Sequence, residues 1–314
     1  MSLEELKLIA DKLILALQKW RRKGRIALTG GEPFLKKELF PLLKYLEKSD
    51  HVSRVGILSN GTLLDNHIVS KLQTFSKLYY VQISLDGASP KTHDAIRGDG
   101  SFEKAIHGIR LLKRNKIKVR VMFTLHKKNM KEVPALIDLA LREGVDALTV
   151  ERFVPTGSGE KMRELLLSSE EIRDIFQYIS DRADLEYEKG SPLTILKFRT
   201  LWVNLDPSRS KINANTPIQK ELGAMCSSGI DSLTILPDAT VLPCRRLNIP
   251  IGNLKNDSLF KIWYTSDVLW NIRNKQNLKG KCNLCDLIPR CGGCRAMAYA
   301  CTGDYLEEDP QCWK

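Results

Sequence analysis

Apolar positions open the chain at helical spacing: Leu3, Leu6, Ile9, Ala10, Leu13, Ile14 and Leu17 fall three or four residues apart and so share one face of an α-helix. Ser2, with Glu5 three residues on, has the form of a capping box. The pattern predicts an amphipathic first helix. The period then changes. Short runs rich in Val, Ile, Thr and Tyr at 25–29, 54–58, 79–84, 118–124 and 147–152 alternate with helix-period segments at 36–48, 65–77, 102–115 and 131–143. Such alternation reads as α/β units on a parallel sheet, because each parallel connection needs a crossover long enough to hold a helix.

Polar or glycine-rich groups follow nearly every strand at its carboxyl end: Gly30-Gly31-Glu32-Pro33, Ser59-Asn60-Gly61, Ser84 with Asp86-Gly87, Thr124, and Glu151-Arg152. A closed or partial barrel opens all its strand ends on one mouth, where these residues would converge on a single ligand. A doubly wound sheet uses chiefly the loops at its switch point. Five decorated ends therefore favour a partial, incomplete parallel β/α barrel over residues 1–153.

Residues 154–221 read as a bridging segment. Pro155, Gly157 and Gly159 make a loop, followed by a helix over 169–184 and a strand over 193–203. A small cysteine-rich α+β domain is expected over 222–314. It carries a hairpin signal over 233–242 turning on Pro237-Asp238-Ala239, then a helical stretch over 257–273. Phe260, Trp263 and Trp270 in that stretch are expected in a core rather than against a cofactor.

All eight cysteines lie in this last part, at Cys226, Cys244, Cys282, Cys285, Cys291, Cys294, Cys301 and Cys312. The Cys-x-x-Cys pairs 282/285 and 291/294, five residues apart, can surround one metal centre without long loop closure. Soft thiolates select zinc or iron-sulfur clusters over hard cations. An even count would also suit disulfides. The acidic opening Met-Ser-Leu-Glu-Glu does not have the form of a basic, apolar leader, and no apolar run approaches the roughly 18 residues of a membrane span. We therefore expect a cytoplasmic, reducing compartment and no membrane partner, and there clustered thiols are metal ligands. The net charge of +12 keeps anionic partners in view. Yet the densest basic run, 19–25, closes a helix ahead of Gly24, where cations suit the helix dipole. No aromatic-interleaved basic stretch signals nucleic acid.

Gly30-Gly31-Glu32-Pro33, directly after a strand and before a helix, resembles the radical S-adenosylmethionine (SAM) superfamily. The likeness continues through Ser59-Asn60-Gly61-Thr62, Ser84-Leu85-Asp86-Gly87, residues 93–98 and residues 152–157, and the C-terminal cysteines resemble the SPASM extension, which carries auxiliary iron-sulfur clusters. Two glycines let a ligand approach bare backbone, and Glu32 adds a charge-assisted acceptor. The resemblance implies that Gly30, Gly31, Glu32 and Pro33 hold the amino group of the methionine moiety of SAM. It places Ser59, Asn60, Ser84 and Asp86 toward the ribose or carboxylate, with Arg97 as a carboxylate partner. It also implies that Cys282, Cys285, Cys291 and Cys312 bind one 4Fe-4S cluster and Cys226, Cys244 and Cys294 another. The fourth ligand of the second is open between Cys301, Asp231 and a free iron position. Zinc is the alternative metal at both sites, since thiolate spacing does not declare it.

One departure stands out. No cysteine precedes Cys226, so the Cys-x-x-x-Cys-x-x-Cys that binds the superfamily's catalytic cluster is absent. The expectation is a truncated or degenerate member, inactive as it stands. The resemblance otherwise implies a maturase or cofactor-biosynthesis enzyme that cleaves SAM reductively and abstracts hydrogen from a peptide, protein or tetrapyrrole substrate. Its electrons would come from a donor such as ferredoxin or flavodoxin. The run Cys291-Gly292-Gly293-Cys294-Arg295, with Thr302-Gly303-Asp304-Tyr305, points toward the haem-biosynthesis and oxidoreductase-maturation branches. The alternatives are a non-catalytic iron-sulfur or electron-transfer module that retains a SAM-like pocket, and a zinc-stabilised nucleic-acid binder.

Overall fold

A computed structural model describes residues 1–197, 200–205, 226–288 and 290–314. The chain forms two compact units, residues 1–152 with 186–195, and residues 153–185 with 196–314.

In the first unit the five predicted strands are present as β1 (Gly24–Leu28), β2 (Val52–Ser59), β3 (Leu78–Ser84), β4 (Val119–Leu125) and β5 (Ala147–Arg152), and β6 (Thr194–Leu196) extends the same sheet. The strand order is β1-β2-β3-β4-β5-β6, with every pairing from β1 to β5 parallel. This order never reverses, so the sheet has no switch point. Crossovers of a single hand then place the connecting helices on one face, which is the winding of a partial barrel and not of a doubly wound sheet. Val55, Ile57, Val81, Ile83, Val119, Val121, Phe123, Leu148 and Val150 form the buried rows of that face. The alternate positions put Arg54, Tyr80, Gln82, Arg120 and Met122 on the other.

The first helix, α1 (Leu3–Lys19), carries the predicted capping box: the Glu5 amide donates to Ser2 Oγ at 3.2 Å and the Ser2 amide to Glu5 Oε2 at 2.9 Å. Four further crossover helices follow the predicted rhythm: α2 (Leu39–Glu47), α3 (Asn66–Leu72), α5 (Ser101–Arg114) and α6 (Val133–Arg142). α2 begins later than the pattern suggests because Pro33–Leu35 makes its own 3-10 turn. A helix that the pattern does not give, α4 (Pro90–Arg97), precedes α5. Its sequence is polar and only His93 is buried, so it has no apolar stripe. Asp94 of α4 caps α5, accepting from the Gly100 and Phe102 amides at 2.9 and 2.8 Å.

In the second unit α7 (Ser169–Glu188) matches its predicted start. The expected strand over 193–203 is reduced to β6, after which Trp202–Asn204 turns as a 3-10 helix and Trp202 stacks on Phe176 at 3.9 Å. Residues 198–199 of that stretch and the expected domain start at 222 lie outside the described residues. The predicted hairpin is present: β7 (Thr234–Ile235) and β8 (Thr240–Leu242) pair antiparallel, and β9 (Gly252–Asn253) adds to β8. The helical stretch over 257–273 is two helices, α8 (Leu259–Thr265) and α9 (Asp267–Arg273). Ser266 is extended at their junction and its hydroxyl accepts the Leu269 amide. The core expectation fails for Trp270, which is 51% exposed; the Arg273 guanidinium, held by the Gly229 and Trp263 carbonyls, lies 5.4 Å from its ring centroid. The last helix is α10 (Arg295–Thr302). Among the described residues no helix is long and apolar enough to cross a membrane.

The loop after β2 depends on a bare helix surface. A Cβ at Gly108 of α5 would lie 2.7 Å from the Gly61 carbonyl oxygen. Gly108→Ala should improve helix propensity by roughly 0.5–1 kcal/mol but overpack against backbone at a cost of roughly 1–3 kcal/mol. The expected net result is a lower urea midpoint. A raised midpoint would show that α5 can back away from the loop.

Candidate functional site

At the carboxyl end of β1, Gly30 and Gly31 adopt φ values of 106° and 53°. No heavy atom lies within 4 Å of a Cβ built on either, so the turn needs glycine for its conformation and faces open space. Pro33 starts the 3-10 turn and is buried. Glu32 is 9% exposed and already engaged: Ser59 Oγ donates to Oε1 at 2.8 Å, the Asn60 amide to Oε2 at 2.8 Å, and the Phe34 amide to Oε1 at 3.3 Å. A carboxylate has about four acceptor sites, so one remains for a ligand. Ser59 Oγ also accepts the Gly61 amide, and Asn60 Oδ1 accepts from the Thr62 amide and hydroxyl. The structure thus brings Glu32, Ser59 and Asn60 into one bonded group.

Ser59 lies opposite Ile83 in the sheet, which sets Ser84 and Asp86 at the neighbouring strand end. Asp86 is 4% exposed and turned toward protein. Arg97 Nε donates to Oδ2 at 2.7 Å and the Thr124 amide to Oδ1 at 3.0 Å. Asp86 therefore orients Arg97, whose terminal nitrogens are left to meet a carboxylate. Two residues support this arrangement: Asn129, which the sequence pattern does not single out, and His93, which opens the 93–98 segment of the resemblance. Asn129, fully buried, donates to the carbonyls of Asp86 at 3.1 Å and Thr124 at 2.9 Å. His93, also fully buried, accepts the Asp86 amide at Nδ1, and its Nε2 has no partner. For Asn129 its place in a loop after a strand is the only local sign of such a role, whereas His93 carries the signal of the 93–98 segment. Burial, then the charge of Arg97, lowers the His93 pKa from its ordinary value of 6.5. Burial lowers that of His126 in the same way.

In the second unit Cys282, Cys285, Cys291 and Cys312 line one cavity of about 290 Å³. Burial pushes the thiols of Cys282 and Cys312 up from the ordinary cysteine range, while Arg295 opposes this at Cys282. Among the described residues no three His, Cys, Asp or Glu side chains converge closely enough for a single metal ion. Thiols spread around a cavity fit a group with volume, such as an iron-sulfur cluster, better than a tetrahedral zinc ion. Cys244, Cys294 and Cys301 pack against a shared apolar cluster that includes Leu247, Ile272 and Met297. Cys226 donates to Ser228 Oγ at 3.2 Å, Cys301 lies 3.8 Å from Met297 Sδ, and Asp231 is exposed in a tight turn.

Comparison with known proteins places these features. Residues 1–140 match the radical SAM superfamily, and residues 226–294 match an iron-sulfur cluster-binding domain, SPASM. The chain is 31% identical over 291 residues to the AdoMet-dependent heme synthase of Methanosarcina barkeri, covering 92% of this chain and 82% of that protein. It is 32% identical over 304 residues to the pre-heme d1 synthase of Dinoroseobacter shibae, covering 92% and 74%. In fold it is similar to Streptococcus suis SuiB bound to S-adenosylmethionine, with a TM-score of 0.75 at 18% identity, covering 98% of this chain and 70% of that one.

The buried histidines give the site a pH signature. With folded pKa values below 6.5, the unfolded chain binds more protons as pH falls through that value, so stability present above about 6.5 is lost progressively below it. Urea unfolding should show lower stability at pH 5.5 than at pH 7, with a shallower loss in His93→Gln. Equal stability at both pH values would contradict the burial of neutral imidazoles.

Proposed function

From its membership of the radical SAM superfamily, to which this chain belongs, we propose that it is an iron-sulfur and SAM-dependent protein of cofactor biosynthesis whose substrate is a tetrapyrrole. The likeness to a heme synthase and a pre-heme d1 synthase over nine-tenths of the chain supports the substrate class. The observation that carries the cofactor reading is the single cavity lined by Cys282, Cys285, Cys291 and Cys312. Residues 30–33, Ser59, Asn60 and Ser84 would receive SAM at the strand ends, with Arg97, steadied by Asp86, on its carboxylate. Cys226, Cys244 and Cys294 would hold a second cluster. When bound, the clusters and SAM supply one-electron chemistry that side chains cannot. The protein's own residues bind, orient and shield: Glu32 fixes the loops that meet the ligand, and the bare Gly30-Gly31 backbone lets it approach. Electrons would come from a small redox protein of the ferredoxin or flavodoxin kind, and reduced clustered thiols suit a cytoplasmic setting.

A second reading is a cluster-bearing module without catalysis that retains a SAM-like pocket and the same cysteine-lined cavity. Anaerobic reconstitution tests the shared part of both. The protein should take up iron and acid-labile sulfide, and replacing Cys282 and Cys285 by alanine should remove one cluster's absorbance; zinc uptake without iron would overturn the proposal. Calorimetry should show SAM binding that Arg97→Met weakens by roughly 1.5–3 kcal/mol, the range for a hydrogen bond to a charged group, with circular dichroism confirming the fold. Chromatographic detection of deoxyadenosine under a strong reductant separates enzyme from module.

A further inference from the structure

The turn Cys291-Gly292-Gly293-Cys294 carries two thiols that the proposed function assigns to different clusters. Gly292 and Gly293 adopt φ values of 116° and 63°. Each also has a cation packed on its bare face: a Cβ on Gly292 would lie 2.8 Å from Lys275 Nζ, and one on Gly293 would lie 2.7 Å from Arg295 Nη2. Arg295 is 2% exposed. Its Nη1 donates to the Tyr305 and Glu307 carbonyls at 2.9 and 2.6 Å, its Nη2 is 4.0 Å from Cys282 Sγ, and its Nε is buried with no partner. Lys275 is half-buried at the start of a 3-10 turn, and among the described residues no ion pair engages its ammonium. The strongest charge acting on it is the Arg295 guanidinium, and the sulfurs of Cys226, Cys291 and Cys282 act against that repulsion. Asp309, fully buried, accepts the Cys294 amide at 2.8 Å. Two cations packed on the bare faces of one turn place positive charge beside its thiols, an arrangement that favours anionic thiolates there.

We propose that Lys275 is a positioning cation shared by the two iron-sulfur sites that meet at the Cys291–Cys294 turn it packs on, and that it raises the reduction potential of both. The inference rests on the iron-sulfur reading above. Reduction adds one electron from an external donor to a cluster and transfers no proton; the added negative charge is stabilised by a neighbouring cation, so the reduced state gains more than the oxidised one.

The test uses the full chain, reconstituted anaerobically, as wild type, Lys275→Met and Lys275→Arg. Iron and sulfide are counted, and each cluster's midpoint is measured by dithionite titration followed by electron paramagnetic resonance. Both midpoints should fall in Lys275→Met at unchanged iron content, by about tenfold in the reduction equilibrium, or about 59 mV for a one-electron couple. Lys275→Arg should restore most of the difference. Unmoved midpoints, or movement of one cluster alone, would overturn the shared role. Where Lys275→Met loses iron, retention of iron and midpoints in Lys275→Arg supports the role of charge, and loss there as well overturns it. A wild type without iron defeats the iron-sulfur reading itself.

Discussion

A carboxylate that leaves water has to be supplied with donors, and the first unit does so twice at the ends of its strands. Glu32 draws on Ser59, Asn60 and Phe34, which ties the loop after β1 to the loop after β2. Asp86 draws on Arg97 and the Thr124 amide, which ties the end of β3 to the end of β4, with Asn129 bridging the carbonyls of the same two residues. Removing a donor from such a buried carboxylate costs roughly 1–3 kcal/mol, because the group stays desolvated without its partner. The loops that would meet a ligand are thus set by internal electrostatics before any ligand arrives.

This division of labour explains what could be read from the sequence. The strands were legible because apolar β-branched runs have a strong local signature, and the Gly30-Gly31-Glu32-Pro33 turn because glycine at positive φ leaves a mark in composition. Whether Glu32 serves the ligand or the protein is decided by the neighbouring strand, which local sequence does not specify. The same holds for Asp86 and Arg97, whose bond to each other local sequence does not specify. α4 was invisible because one buried histidine makes no periodic pattern. The break at Ser266 had a local sign, a serine cap inside an apolar run, but the run's helical period outweighed it.

The cysteine-bearing unit inverts the electrostatic arrangement of the first. There, buried anions recruit amides and a guanidinium; here, Arg295 and the half-buried Lys275 pack on the turn between two thiols, while burial opposes deprotonation of Cys282 and Cys312. Ligand binding in such a site releases protons and is coupled to folding, so the charge of Arg295 lowers the cost of the thiolate state before a metal is present. The two glycines of the Cys291–Cys294 turn are required on both counts, for their left-handed backbone and for the room they leave to Lys275 and Arg295. Sequence spacing gave the cysteines but was silent on these cations, which reach the turn by tertiary packing.

The unbroken strand order also bears on how the sheet is assembled. From β1 to β5 each strand pairs with its neighbours in the chain, so closure entropy is spent in small instalments there, and β6 alone joins across the long insertion that holds α7. Such a sheet grows by accretion and frays from its rims: β1 and β6 each have one neighbour, whereas Val81, Ile83, Val119, Val121 and Phe123 lie at 1% exposure or less in the middle. A whole strand-and-helix unit can therefore be gained or lost at a rim without shifting a register elsewhere. The extent of the barrel becomes a variable that evolution can adjust while the central strands and the ties between their loops stay as they are.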